Sequence, residues 1–257
     1  MKSAWLGVVL TVGCQRDAGA PPPPPTTGDA IDRAATWLAA FPDDKLRFDA
    51  AIGLHAIRAA HDSDAVRRAE ARARAVADRD PDNPLRRAFD DTARASTRAT
   101  SGWALPAAGA RVNVNRVLGE ALHCRENGLR PQTVAYATGA MRDGGGYQTA
   151  HALWALSIAR ERGCLVDFAT VARPLIDELR AAESPDPGTE ALAIDLFAER
   201  LLMLELAGEH GPPLDAWADH LARAQAADGG FGQLAPDEDP YHRYHATLAA
   251  TWALAIR

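Results

Sequence analysis

The sequence predicts an all-α protein, and three observations lead to that fold class. No stretch alternates apolar and polar residues through β-branched positions, as a half-buried strand would. Alanine and arginine, which are both good helix formers, dominate the chain. A unit of two helical stretches joined through Asp-Gly-Gly occurs twice, at 142–156 and at 227–254. A recurring unit of this kind predicts an array of helical hairpins.

Helices with a single apolar stripe are predicted at 29–40, 64–78 and 165–182. Such a stripe is typical of a helix that packs on a core with one face and meets solvent with the other. In the last of these segments, Pro174 is expected to kink or break the helix because proline lacks the backbone N–H. The stripe of the first helix consists of Ile31, Ala34, Ala35, Leu38 and Ala39.

Other helical segments are apolar nearly all round, which is expected of helices buried on most sides. The clearest are 147–160 and 241–256, and 47–61, 189–207 and 113–126 are of similar kind. Alternation of the two types gives about five hairpins, with an insertion at 80–111 in the second. A ring of hairpins has outer and inner layers of helices around a central concavity. The predicted pairs are 29–40 with 46–61, 64–79 with 113–126, 131–142 with 147–162, 165–182 with 188–207, and 213–226 with 241–257.

The N-terminus has the layout of a secretory signal peptide at residues 1–13: a lysine, a short apolar segment and a small residue. The following sequence, Thr-Val-Gly and then Cys14, resembles a bacterial lipobox. This resemblance implies cleavage before Cys14 and acylation of its sulfur, so that lipid anchors the protein without spanning the membrane. Gln15 follows the cysteine where an inner-membrane retention signal has aspartate, which favours the outer membrane, facing the periplasm or the surface.

Residues 14–28 are predicted to be the lipidated cysteine and a linker, because Pro21 to Pro25 favour an extended, semi-rigid spacer. Residues 29–257 then form one domain, long enough for a single sizeable core. The formal net charge of −6 argues against nucleic acid as a partner. The predicted partners are therefore the membrane, through the lipid anchor, and a small ligand or an envelope protein.

Three cysteines occur in the chain. With Cys14 lipidated, Cys124 and Cys164 remain, and each stands at the end of a predicted helix. An oxidising compartment permits a disulfide between them, provided that the two helices are parallel neighbours. Two buried free thiols are the alternative. Neither cysteine has the spacing of a metal ligand.

The segment from Gln225 to Gly232, followed by Tyr241, His245 and Thr247, resembles the repeat of protein prenyltransferase β-subunits and squalene/hopene cyclases. The 142–156 unit is similar, and 41–57 resembles a degenerate third copy. The resemblance implies an α/α toroid, as a partial or open barrel, in which the Asp-Gly-Gly turn joins an outer helix to an inner one. The catalytic D-x-D-D run of the cyclases and the zinc-binding D-x-C pair of the transferases are both missing. Enzymatic activity is therefore not carried over.

Polar residues near the starts of the predicted inner helices are expected to converge at one rim of the ring. Neutral imidazoles and a carboxylate can bind zinc, so His151, His242 and His245 are weak metal candidates, although no cofactor is predicted. The simpler interpretation is that the histidines bond to helix-end carbonyls and that the aspartate caps a helix. Trp154 and Trp252 occupy matching places in the two clear repeats. We expect them to pack in the interior or to provide a surface on which a sugar or lipid stacks. The candidate ligand-binding residues are Asp49, Tyr147, His151, Asp228, His242 and His245.

These observations predict a lipid-anchored, non-catalytic binding or scaffold module of the cell envelope. The alternative is a glycan-active hydrolase or lyase that uses two carboxylates as general acid and base. That alternative draws on Asp228, Asp237, Glu238 and Asp239, which share one loop and which, on the simpler view, cap helices or face solvent. A purely structural lipoprotein is a third possibility, and it predicts an alanine-packed centre without a cavity.

Overall fold

The computed structural model describes residues 26–93, 114–181 and 188–257, and within these ranges it is helical and contains no β-strand. The predicted all-α class is confirmed. A 3₁₀ helix (Pro84–Ala88) and a π-helical turn (Ala137–Met141) accompany the α-helices. The eleven α-helices are α1 (Thr27–Ala40), α2 (Asp49–Ala60), α3 (Asp64–Ala77), α4 (Val114–Leu122), α5 (Cys124–Asn127), α6 (Pro131–Tyr136), α7 (Gly146–Glu161), α8 (Phe168–Ala181), α9 (Ala191–Leu206), α10 (Pro212–Arg223) and α11 (Pro240–Ala255).

Helix α1 begins earlier than predicted, because residue 26 is its N-cap. The Thr26 hydroxyl accepts a hydrogen bond from the Asp29 backbone N–H at 3.2 Å, and the Asp29 carboxylate accepts one from the Thr26 N–H at 3.0 Å. This reciprocal capping box fixes the first turn. The end of the segment predicted as linker, 14–28, therefore belongs to the domain. The predicted signal peptide, Cys14 and the proline run lie outside the described residues.

Five helices, α2, α4, α7, α9 and α11, form the centre of the molecule, and we call them the inner helices. Helix α2 packs against α11, α11 against α9, α9 against α7, and α7 against α4, while the 3₁₀ helix contacts both α4 and α2. Helices α1, α3, α8 and α10 and the π-helical turn each pack against at least one inner helix from outside. This arrangement explains why the inner helices are apolar nearly all round.

The predicted pairing of 64–79 with 113–126 is wrong. Helix α3 packs against α1 and α2, whereas α4 packs against α7 and the 3₁₀ helix. The reason is that the 3₁₀ helix, which buries Leu85, occupies the space between α2 and α4. Part of the predicted insertion is therefore core, and residues 94–113 lie outside the described ranges.

Of the kink or break expected at Pro174, the break does not occur, since α8 runs without interruption from Phe168 to Ala181. Proline removes the hydrogen bond to the carbonyl four residues earlier, which belongs to Thr170. Both Pro174 and Thr170 are exposed, so water can solvate that carbonyl. The loss is therefore tolerated on this face.

The second Asp-Gly-Gly turn joins α10 to the loop before α11. Gly229 has φ +94°, and a Cβ there would lie 2.7 Å from the Arg33 carbonyl oxygen, so only glycine fits. The Asp228 carboxylate accepts hydrogen bonds from the Gly230 N–H at 3.1 Å and from the Arg243 guanidinium at 2.7 Å. The turn is thus anchored to both α1 and α11.

A disulfide joins Cys124 and Cys164, whose Cα atoms are 6.1 Å apart. The two residues follow the C-terminal ends of α4 and α7, which are neighbouring inner helices. The bond therefore ties two inner helices together at one end. No helix among the described residues is both long enough and apolar enough to cross a membrane.

Candidate functional site

The N-terminal turns of four inner helices surround an open pocket of about 450 Å³, which we call the mouth. Helix α2 contributes Asp49, α7 contributes Tyr147, α9 contributes Asp195 and α11 contributes His245. These helices run in the same direction, so their first turns meet at one end of the molecule. The rim is completed by Arg47, Leu192, Tyr241 and His242.

A smaller chamber of about 90 Å³ lies directly below the mouth and shares Asp49, Tyr147 and His245 with it. Its floor includes Trp154 and Trp252, whose rings meet edge-to-face with centroids 5.7 Å apart. The remaining polar groups of the chamber are His151, Glu199 and Asn115. The sequence-derived candidates Asp49, Tyr147, His151, His242 and His245 are therefore brought together.

His245 lies among three carboxyl groups. Its Nδ1 donates to the Asp195 Oδ1 at 2.8 Å, and its Nε2 is 3.5 Å from the Asp49 Oδ2 and 3.9 Å from the Glu199 Oε1. Burial acts to lower the pKa of His245, but the hydrogen bond to Asp195 and the neighbouring negative charges outweigh it and raise the pKa to about 10. The group is an imidazolium at neutral pH, and its Nε2–H faces the chamber as a donor.

Glu199 is the most deeply buried carboxyl group of the chamber, with 3 % of its surface exposed. Burial, and next the charge of Asp195, raise its pKa well above the usual value. Its Oε2 has no hydrogen-bond partner among the described residues and lies 3.7 Å from the His151 Nδ1. Both effects favour the neutral, protonated form of this carboxyl group over the carboxylate.

His151 has the opposite protonation state to His245. Its Nδ1 donates to the Tyr147 carbonyl at 3.0 Å, and burial lowers its pKa to about 4. A neutral ring that donates through Nδ1 leaves Nε2 as an acceptor. The hydrogen bond to a carbonyl in its own helix agrees with the simpler interpretation of this histidine. The two histidines thus present one acceptor and one donor.

Asp49 is not the side-chain cap that the simpler interpretation proposed for α2. One carboxylate oxygen accepts a hydrogen bond from the Tyr241 hydroxyl, and the other accepts from the adjacent Ala50 N–H at 3.1 Å. The Arg47 guanidinium stacks on the Tyr241 ring, with its central carbon 3.9 Å from the centroid. Asp49 and Tyr241 therefore form one wall of the mouth, with Arg47 at its edge.

Three carboxylates of the 228–239 loop, those of Asp228, Glu238 and Asp239, hold local structure. Asp228 is bound to Arg243 and to the turn described above, and it does not line the mouth or the chamber. Glu238 accepts from the Ala235 N–H at 2.9 Å and pairs with the His242 Nδ1, also at 2.9 Å. Asp239 caps α11 through the Tyr241 N–H at 2.9 Å. The selection of Asp228 as a ligand-binding residue is therefore not supported by its position.

The groups that can hold a divalent cation are Asp195, Glu199 and His245. One ligand atom from each lies within 4.8 Å of the other two, and carboxylate and imidazole are donors that zinc accepts. Of the three histidines proposed as weak metal candidates, only His245 belongs to this set. His242 is engaged by Glu238, and His151 by a backbone carbonyl.

Asp195 and Glu199 were missed by the reasoning from sequence, although a signal for them exists. They stand four residues apart in α9, so they share one helix face. Nearly every other residue around them in Ala191–Leu206 is apolar, and the helix is buried on most sides. Two acids on one face of such a helix must be paired or must line a cavity, since burial of a free charge is costly.

Comparison with protein-family models, curated proteins and solved structures finds no match.

Proposed function

We propose that the helices form an α/α toroid, as the repeat resemblance implies. The inner helices run parallel, each contacts the next, and the 3₁₀ helix fills the position between α4 and α2. The same five helices contribute to the chamber and to the wall of a further cavity beyond its floor. A cavity system along one axis, enclosed by parallel helices, is the arrangement that a toroid produces.

We infer that this toroid binds a saccharide unit of the cell envelope in the mouth and chamber. The observation that carries this proposal is the convergence of Asp49, Asp195, Glu199 and His245 above the Trp154–Trp252 pair. Sugars offer many hydroxyl groups and apolar ring faces, and a pocket with both donors and acceptors beside aromatic rings suits them. Tyr147 and Leu192, which are 45 % and 54 % exposed, add apolar surface at the entrance.

The proposed setting is the bacterial envelope, with the domain held at the outer membrane through acylated Cys14. The support for it is the lipobox-like sequence and the proline run that follows. The proposed partners are the membrane and the small saccharide ligand. The acidic net charge of −6 makes nucleic acid an unsuitable partner.

Isothermal titration of the domain with envelope monosaccharides and oligosaccharides tests the binding proposal. We expect Asp195→Asn to weaken binding at least tenfold, since a good hydrogen bond to a charged group contributes about 1.5–3 kcal/mol. The matched control is Asp177→Asn, because Asp177 is a mostly exposed residue of α8 outside the pocket. Equal affinities of the two variants, or an absence of binding to every saccharide, would refute the proposal.

A second candidate function is hydrolysis of the same saccharide, and one observation favours it. Burial raises the pKa of Glu199, and one carboxyl oxygen of Glu199 lies within 4.8 Å of one carboxyl oxygen of Asp195. Glycosidases use such a pair as acid and nucleophile when the carboxyl groups are about 5–5.5 Å apart. Release of reducing sugar by the wild-type domain, lost in Glu199→Gln while binding persists, would establish this function. Binding without turnover in the wild type would reject it.

The binding proposal involves no cofactor, and a metal analysis separates it from a metal-dependent alternative. The domain is to be purified without chelator and without an affinity-tag metal. One equivalent of zinc that is lost in His245→Gln would assign Asp195, Glu199 and His245 to a metal site. Less than a tenth of an equivalent would leave the three groups to bind the ligand directly.

A further inference from the structure

A second cavity, of about 270 Å³, lies beyond the Trp154–Trp252 pair at the opposite end from the mouth, and we call it the distal cavity. It shares no lining residue with the mouth. The C-terminal halves of the inner helices form its wall. They contribute Ala56 from α2, Leu122 from α4, Ile158 from α7, Leu206 from α9 and the two indoles.

The wall is apolar apart from the charged residues Glu161 and Arg162 and two buried donors that lack partners among the described residues. The Ser157 hydroxyl belongs to a residue with 1 % of its surface exposed, and no described residue bonds to it. The indole Nε1–H of Trp252, a residue 8 % exposed, is also without a partner in the described part of the chain. Because buried polar groups are nearly always hydrogen-bonded, these donors point to an acceptor supplied from outside the chain.

The charges at this end favour an uncharged ligand. The C-terminal ends of the inner helices meet here, and their partial negative charge disfavours an anion. The acidic residue of the wall, Glu161, likewise disfavours an anion. The basic residue is Arg162, and its guanidinium already bonds to the Arg87 carbonyl at 3.2 Å and contacts Asp91 at 3.5 Å. The unpaired donors of Ser157 and Trp252 require a hydrogen-bond acceptor. An ammonium group has none, so a cationic amine does not suit this cavity.

The disulfide holds part of the wall of the distal cavity in place. Leu122 and Arg162 line the cavity, and each stands two residues before a bonded cysteine, Cys124 or Cys164. The Arg125 guanidinium also donates to the Arg162 carbonyl at 2.8 Å. A wall fixed in this way loses little conformational freedom on binding, which favours affinity.

We propose that the distal cavity is a second binding site, for an uncharged apolar compound that carries one hydrogen-bond acceptor. An apolar cavity of about 150 Å³ accommodates benzene, so this larger volume suits a molecule of roughly ten to twelve carbon atoms. A medium-chain ketone or ester has the required chemistry. Its chain would contact the alanines and indoles, and its carbonyl would accept from Ser157.

Fluorescence of the uncharged dye N-phenyl-1-naphthylamine tests this site in the 26–257 domain and in the full chain. We expect one saturable site, with energy transfer from the Trp154–Trp252 pair to the dye. Ala56→Phe fills the cavity and should weaken binding at least tenfold. Ala71→Phe, on the exposed face of α3, adds the same ring elsewhere and should leave the affinity unchanged.

Displacement of the dye by 2-decanone tests the acceptor. Ser157→Ala should weaken the ketone about threefold to tenfold, the usual effect of one hydrogen bond, and should leave the dye unaffected. Circular dichroism checks the fold of each variant, and Ala59→Leu at the exposed rim replaces Ala56→Phe if that variant unfolds. Dye binding that is absent, that does not saturate, or that is unchanged by filling the cavity would overturn the proposal.

Discussion

His245 keeps its proton in the folded state because Asp195, Asp49 and Glu199 surround it. Its pKa of about 10 exceeds the ordinary value of 6.5, so its contribution to stability is complete below pH 6.5 and is lost as the pH rises to 10. We expect the unfolding free energy of the wild type to fall across this range by up to about 4–5 kcal/mol. Urea denaturation between pH 6.5 and 10 measures it.

His245→Gln removes the titrating group, so most of this alkaline slope should disappear. The variant should also lose about 3 kcal/mol or more at pH 7, because it leaves the buried Asp195 without its cationic partner. His61→Gln is the control and should keep the slope, because His61 follows the C-terminus of α2 and bonds to Asp32 of α1, at the opposite end from the mouth. A slope in His245→Gln as steep as that of the wild type would contradict the assignment.

Glu199 opposes stability at neutral pH. Its pKa is raised in the folded state, so folding takes up a proton above pH 4.5 and the stability falls as the pH increases. We expect Glu199→Gln to be more stable than the wild type at pH 7 by about 1–3 kcal/mol, the usual cost of an imperfectly satisfied buried polar group. The advantage should shrink toward pH 4.5. Thermal denaturation at both pH values decides the matter, and an advantage independent of pH would argue against a raised pKa.

At the residue scale, the sequence predicts some of these groups better than others. His151 and His245 could be selected because each stands in the first turns of a helix from a recognisable repeat. The opposite protonation states of the two histidines could not be predicted, because they depend on partners that are distant along the chain. Asp195 is 50 residues from His245, and the two groups meet only because α9 packs against α11.

At the scale of elements, the disulfide between Cys124 and Cys164 joins two inner helices across a separation of 40 residues. Closing a loop of that length restricts the unfolded chain by about 3–4 kcal/mol. We expect the double variant Cys124→Ala/Cys164→Ala to lose about that much unfolding free energy, measured by urea denaturation without reductant. With reductant present, the wild type should approach the variant. Equal stability of the two oxidised proteins would show that the bond contributes nothing.

Helices α2 and α11 approach closely at Gly53, where a Cβ would lie 2.9 Å from the Leu248 side chain. Leu248 lines the chamber. We expect Gly53→Ala to displace Leu248 into the chamber, to lower stability by about 1–2 kcal/mol through overpacking, and to weaken saccharide binding. Gly139→Ala, where no atom lies within 4 Å, is the matched control and should be neutral or slightly stabilising. Full affinity in Gly53→Ala would show that Leu248 moves elsewhere.

Most helices were predictable because local signals define them. Proline at the first turn begins α10 and α11, and the apolar periodicity identifies α1, α3 and α8. The packing position of the 3₁₀ helix in the fold, between α2 and α4, was not predictable. Its five residues have no periodicity of their own, and only the gap between α2 and α4 gives Leu85 a buried position.

At the scale of the whole molecule, two ends with different chemistry face away from each other. The mouth is lined by carboxylates and histidines at the N-terminal ends of the inner helices. The distal cavity is lined mainly by alanines, aliphatic residues and indoles toward the C-terminal ends of those helices. The start of α1 lies at the distal end, because Asp32 bonds to His61, which follows the C-terminus of α2. The proposed lipid anchor, attached before α1, would therefore hold the distal cavity toward the membrane and the mouth away from it.

Fluorescence energy transfer to acceptor-labelled lipid measures this orientation in vesicles that carry the acylated full chain. Val166 and Leu192 are 99 % and 54 % exposed and mark the distal end and the mouth. A cysteine introduced at either position would be the one free thiol of the acylated protein, since Cys124 and Cys164 are bonded to each other and the proposed acylation occupies Cys14. Because the 16 residues of α7 span about 24 Å, the label of Val166→Cys should lie closer to the lipid than that of Leu192→Cys.

The same labelled proteins with Cys14→Ser provide the control, since without acylation neither label should transfer energy to the vesicles. Equal transfer from both positions in the acylated protein would mean that the axis through Trp154 and Trp252 lies parallel to the membrane. Stronger transfer from Leu192→Cys would place the mouth against the lipid. A saccharide site needs access to the periplasm or the medium, so that second result would contradict the proposed binding function as well as the proposed orientation.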